Sequence, residues 1–428
     1  MKGILSVIII GLLCLSMFSV FAPNVKAQQS TVDWWPTFRH DLTHTGYSTS
    51  TAPLTNQLLW NYTTGNSIGY SSPAVINGVV YVGSDDHYVY ALNAATSAYI
   101  WSYKTGSSVD SSPAVANGVV YIGSEDHKVY ALNAATGSKI WSYGTGDKVE
   151  SSPAVANGIV YIGSDDNNVY ALNATTGIKI WSYSTGSSVV SSPAVVNGVV
   201  YVGSEDDYVY ALNAATGSKI WSYETGDEVD SSPAVANGIV YIGSDDYNVY
   251  ALSAATGSEI WVFGTGNSVD SCPAVANGVV YIGSTDDNVY ALNAASGSKI
   301  WSYNTGNQVE SSPAVANGVV YIGSDDDNVY ALNATTGTTI WTYGTLNLVD
   351  SSPAVANGVV YVGSNDYDLY AFGAITVPQP SPPVPSPTIP EFPSQALSFT
   401  LVVIMICAAF AVIVTKKKRI NGKTLQIR

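Results

Sequence analysis

The side chains with the most chemical potential in this 428-residue chain are carboxylates, and they come in short runs. Ser324-Asp325-Asp326-Asp327-Asn328 and Ser204-Glu205-Asp206-Asp207 each place several oxygen donors in one loop, and Asp85-Asp86 repeats the theme. A hard cation such as calcium takes about six to eight oxygen ligands. Asp85, Asp86, Glu205, Asp206, Asp207, Asp325, Asp326 and Asp327 are therefore the candidate cation ligands, with calcium the metal they suit. Their spacing matches no EF-hand and supplies no fixed bidentate glutamate. Asp and Asn also favour tight turns for their own local hydrogen bonds. Histidine offers less: His40 and His44 are four apart in a stretch that reads as irregular, and His87 and His127 sit in equivalent loops beside acids. No serine or cysteine combines with a histidine into a nucleophile site. No glycine-rich loop follows a strand and opens a helix to hold phosphate. No catalytic residue is expected.

The loops belong to a strict repeat. Trp101, Trp141, Trp181, Trp221, Trp261, Trp301 and Trp341 are each 40 residues apart, and Trp60 precedes them by 41. A period of about 40 with strand-type spacing indicates a β-propeller, one blade per repeat. The start Ser-Ser/Cys-Pro-Ala-Val occurs eight times, at residues 71, 111, 151, 191, 231, 271, 311 and 351. The eighth copy stops after Leu369-Tyr370-Ala371-Phe372 and lacks its tryptophan strand, whereas Leu58-Leu59-Trp60-Asn61-Tyr62 stands alone at the other end. The fold class expected is all-β: an eight-bladed propeller of four-stranded blades, the last completed by the N-terminal strand. Asn117-Gly118 is a two-residue hairpin signal, and Thr136-Gly137 punctuates the last turn of a blade, where glycine can take a positive φ.

The segment Ala131-Leu132-Asn133-Ala134-Ala135-Thr136-Gly137-Ser138-Lys139-Ile140-Trp141 resembles the tryptophan-docking motif of the PQQ-like repeat family, the quinoprotein dehydrogenase-like propellers. The resemblance covers residues 57–374. It implies that Trp60, Trp101, Trp141, Trp181, Trp221, Trp261, Trp301 and Trp341 dock blade on blade. Enzymes of this family hold PQQ and calcium with residues on long insertions. Here every complete unit is 40 residues, so no cofactor-binding position carries over, no cofactor is required, and PQQ is not expected.

The division expected is a signal peptide at 1–27, a lead-in at 28–56, the propeller at 57–374, a Pro/Ser-rich linker at 375–395, an apolar membrane or sorting segment at 396–415 and a basic cytoplasmic tail at 416–428. Twenty apolar residues suffice to span a bilayer, and Lys416-Lys417-Lys418-Arg419 should stay inside. Pro390-Glu391-Phe392-Pro393 resembles the sorting signal of archaeal surface proteins. This places the propeller outside the cell, held by its C-terminal anchor. Asn61, Asn173 and Asn333 head N-glycosylation sequons.

Strand alternation puts 28 of the 32 acids on one face of the ring. Such a surface repels nucleic acid. The expected role is non-enzymatic: a cell-surface binding module whose acidic face meets a protein, a glycan or a cation-bridged neighbour. The alternative is an assembly scaffold similar to the propeller lipoproteins that aid outer-membrane protein insertion.

Overall fold

A computed structural model describes residues 33–374. The signal, linker, apolar segment and tail read above lie outside the described residues. Among the described residues there is no helix, hence none long and apolar enough to cross a membrane.

Eight sheets form the ring, and each blade orders four antiparallel strands, A to D, from the axis outward; the blade of Ala314–Ala316 carries a fifth, two-residue strand, Tyr47–Ser48, paired in parallel to its inner strand. In the second blade these are Ala114–Ala116, Val119–Ser124, Lys128–Asn133 and Lys139–Gly144. Strands B and C are continuous apolar runs and are buried almost throughout, because neighbouring blades cover both faces. Strand D is the outer edge and alternates, with Trp141 as its one buried residue. The last blade joins Ala354–Ala356, Val359–Gly363 and Asp368–Gly373 to Leu58–Thr63, with Trp60 opposite Ala371. This is the expected closure, and it gives the last blade the same outer strand as the other seven.

The sequence motif acts between blades. Trp141 Nε1 and Tyr121 Oη both donate to the carbonyl of Ala174 in the next blade, at 2.9 and 3.1 Å, and their rings lie 5.9 Å apart. Asn133 Oδ1 folds the turn by accepting from the amides of Ala135 and Thr136. Gly137 has φ 70° and lies flat on Trp101, where a Cβ would come within 2.7 Å of the indole. Glycine is thus required twice over at this position, by backbone and by contact.

Apart from the short strand Tyr47–Ser48, the lead-in stretch is irregular, as its composition suggests, yet it is ordered by the ring. It runs around the inside of the channel and offers backbone carbonyls to the inner strands. Pro36, Leu42, Thr43, Thr45 and Gly46 accept from the amides of Val115, Val195, Val235, Val275 and Val315 at 2.7–2.8 Å. Trp35 pairs both ways with Val75. The third blade is passed over, and a cavity of about 490 Å³ lies there between His40, Leu42 and Val155.

Candidate functional site: an acidic channel mouth

The B-to-C and D-to-A loops share one face, as strand alternation requires. The amide of Glu125 bonds the carbonyl of Ser108, and that of Thr145 bonds His127. This face opens into the central channel through a cavity of about 350 Å³ floored by Phe38. Its wall is built from the residue just before each Ser-Ser-Pro start. In ring order these are Tyr70, Asp110, Glu150, Val190, Asp230, Asp270, Glu310 and Asp350, six of them carboxylates. Glu205 also lines it.

Below the acids lies a ring of hydroxyls. The amide of Ser72 bonds Ser112 Oγ, that of Ser112 bonds Ser152 Oγ, and so on until Ser352 returns to Ser72. Cys272 fills one place in the circle, its Sγ accepting from Ser232 at 3.1 Å. The inner strands start at fixed spacing around this closed circuit, which fixes the acids above them.

Crowding changes their acidity. Burial, then Asp85 set against it, pushes Asp110 up to about 8. Burial, then Asp245, raises Asp270 to about 8, and burial, then Asp350, raises Asp325 to about 8. Asp165 and Asp230 rise to about 7, by burial and by neighbouring carboxylates. One cation relieves the set. Lys148 Nζ lies 2.6 Å from Glu125 and 3.5 Å from Glu150. The opposite face carries the exposed Lys139, Lys179, Lys219 and Lys299 at the starts of the D strands.

The loop acids chosen from sequence separate into three kinds. Asp86, Asp206 and Asp326 are fasteners. Asp206 Oδ2 accepts from Tyr210 Oη at 2.7 Å and from the amide of Gly186, while Oδ1 takes the amide of Tyr208. Asp86 makes the same set with Tyr90, Gly65 and Tyr88. Asp326 makes its own with Tyr330 and Asn328. Their oxygens are committed to the fold. Asp207 and Asp327 stand at loop tips in the left-handed region, φ 70° and 66°. Glu205 lines the channel mouth, and Asp85 and Asp325 lie against the inner-ring acids Asp110 and Asp350. Among the described residues, two groups of three acids bring their oxygens within 4.8 Å of one another: Asp110, Glu125 and Glu150, and Glu228, Asp230 and Asp245. Neither contains a histidine. His40 instead pairs with Asp33 at 3.0 Å, and His44 is buried edge-on to Phe38.

The inner ring was readable in principle, since one column of the repeat is acidic in six of eight copies. Its members lie 40 or more residues apart, so no cluster along the chain marks them. Of the sequon residues, Asn173 and Asn333 cap turns through Oδ1, and Asn61 donates to Asp368 at 2.8 Å.

Fold and repeat together define a PQQ-like eight-bladed propeller. The family described as outer membrane protein assembly factor BamB matches residues 46–152, 129–261, 208–312 and 289–376, and the chain belongs to it. No curated protein sequence matches the chain. Among solved structures, BamB from Moraxella catarrhalis is 20% identical, with a TM-score of 0.66 over 74% of this chain and 99% of that one. A europium-containing methanol dehydrogenase is 15% identical, with a TM-score of 0.69 over 80% and 98%. The quinohemoprotein alcohol dehydrogenase of Pseudomonas putida is 17% identical, with a TM-score of 0.71 over 86% and 84%. At these identities the likeness is one of fold.

Proposed function

We propose that the protein is a binding module without catalytic chemistry of its own, displayed at the cell surface on a C-terminal anchor, that captures cationic partners at the acidic channel mouth. The observation that carries this reading is the ring of six carboxylates around one cavity, with Lys148 the one lysine bridging its acids among the described residues. Burying like charges together is costly unless a cation or proton joins them. A positively charged partner gains that relief on binding, and the field of the face speeds its approach. The surface address rests on the apolar segments at 1–27 and 396–415 and on the basic cluster after the second.

PQQ, a polycarboxylate quinone, does not fit this mouth. Its anionic groups would face Asp110, Asp230, Asp270 and Asp350, with no arginine on the wall to receive them. Arg39 is fully buried in the lead-in and donates to the carbonyl of Pro273.

The test is capture of polylysine by immobilised protein, compared with the triple variant Asp110→Asn, Asp230→Asn, Asp270→Asn. Capture at low salt should fall at least tenfold. Equal capture by the variant would refute the reading. The family match favours a second reading, an assembly scaffold, which predicts co-purification with membrane-assembly machinery from solubilised membranes.

A further inference from the structure

The chemical class of the partner follows from one comparison around the ring, and it rests on the reading just given. Each gap between blades brings together an acid of the B-to-C loop, a D-to-A residue and the inner-ring acid two positions later. In one gap these are Glu125, Lys148 and Glu150, and the lysine ammonium bridges the two carboxylates at 2.6 and 3.5 Å. Five blades on, the same three positions hold Asp325, Leu348 and Asp350. The acids remain and the ammonium is gone. Three more gaps are alike: Asp85 and Asp110 with Ser108, Asp245 and Asp270 with Ser268, Glu205 and Asp230 with Glu228.

Asp350 shows what is missing. It is 8% exposed and lines the channel mouth. Its Oδ2 accepts from Asn365 at 2.8 Å, while its Oδ1, buried beside Asp325, has no hydrogen-bond partner. The facing Asp325 Oδ1 is likewise without one. Two carboxylates this close need a proton or a cation between them, and an ammonium that replaces the proton lets both ionise. In the gap of Lys148 the chain supplies that donor itself.

We infer that the lysine-free gaps are receptors for primary ammonium groups, each taking the place that Lys148 Nζ fills in its own gap, so that the mouth binds linear polyammonium ligands. The gaps stand around a single cavity, so one ligand with several spaced ammonium groups reaches more than one of them. Free polyamines and lysine side chains of a polypeptide share this chemistry, and the test separates them.

The experiment is calorimetric titration of the full chain at low salt with spermine, with a tetralysine peptide and with calcium chloride. It is repeated on the double variant Leu348→Lys, Ser268→Lys, which places internal ammonium groups in two gaps, and on Lys148→Met, which empties one. Saturable amine binding should weaken at least tenfold in the double variant and strengthen several-fold in Lys148→Met. These opposite shifts distinguish site occupancy from a folding defect. Spermine binding without tetralysine assigns a free polyamine, and the reverse assigns a polypeptide. Amine binding unchanged by either variant overturns the inference. Calcium binding with no amine binding also overturns it, yet leaves the cation-capturing face intact. Failure of every cation, together with failure of polylysine capture, removes both.

Discussion

Trp341 donates its indole hydrogen to the carbonyl of Pro53 at 3.1 Å, where every other docking tryptophan donates to an alanine of the following blade. Tyr321 shares the same acceptor at 2.8 Å. The lead-in thus impersonates a turn that the eighth blade lacks, because that blade draws its outer strand from the other end of the chain. Trp341→Phe keeps most of the ring contact but leaves the Pro53 carbonyl one donor short. It should cost about 1–2 kcal/mol, as loss of one buried hydrogen bond does. Chemical denaturation read by tryptophan fluorescence measures it.

Neighbouring loop acids should differ sharply. Asp206→Ala removes the acceptor of Tyr210, Gly186 and Tyr208 at once. A loss of about 2–3 kcal/mol is expected, more than one neutral bond because the acceptor is charged. Asp207→Asn, one residue on at the half-buried loop tip, keeps a residue that tolerates φ 70° and should stay within about 0.5 kcal/mol of the parent. Equal effects would show that the fasteners are not what orders these loops.

The hydroxyl circuit makes a third prediction. Ser192→Ala removes the acceptor of the Ser152 amide, which is buried, and should cost about 1–3 kcal/mol. Cys272→Ser should do the opposite or nothing, since serine is what seven of the eight positions already hold and oxygen is the better acceptor. In thermal melts Ser192→Ala should lower the melting temperature, while Cys272→Ser should leave it unchanged or raise it.

Stability should fall as pH rises from about 5 to 8. The folded-state values of Asp110, Asp270 and Asp325 lie near 8, and those of Asp165 and Asp230 near 7, above the ordinary 3.8. Between these limits the unfolded chain gives up protons that the folded chain keeps, so ionisation favours unfolding. His44 works against this trend, since burial pulls it down to about 4 and its charging favours unfolding as pH falls below its ordinary 6.5. Asp41 does too, at lower pH: although buried, it is held below the usual carboxylate range by His40, Thr43 and Thr45. Five carboxylates outweigh one histidine, so the melting temperature should peak on the acid side of neutrality. A scan of melting temperature against pH with its maximum at 8 would contradict the crowding of the mouth.

Blade number, ring closure and tryptophan docking were legible because each repeats a residue type at a fixed interval, and the packing is the same in every copy. The lead-in was not. Its grip on the ring is made by the carbonyls of Pro36, Leu42, Thr43, Thr45 and Gly46, and a backbone acceptor leaves no mark on residue type. The mouth lay between these cases. Asp110 and Glu150 are 40 residues apart in the chain yet line one cavity, a proximity that only the closed ring creates. The distinction between Asp206, a fastener, and Glu205, a wall residue, turns on which side of a tight turn each faces, and the two are adjacent in sequence.

The circuit of amide-to-hydroxyl bonds has one further consequence. Every bond in it points the same way around the axis, and each blade is both giver and receiver, so the circle has no free end at which to open. Widening the aperture by even a fraction of an ångström would stretch all eight links together. The mouth is therefore a gauge of fixed bore rather than a jaw. On the reading proposed above, such a bore would select a cation by size and by the spacing of its charges.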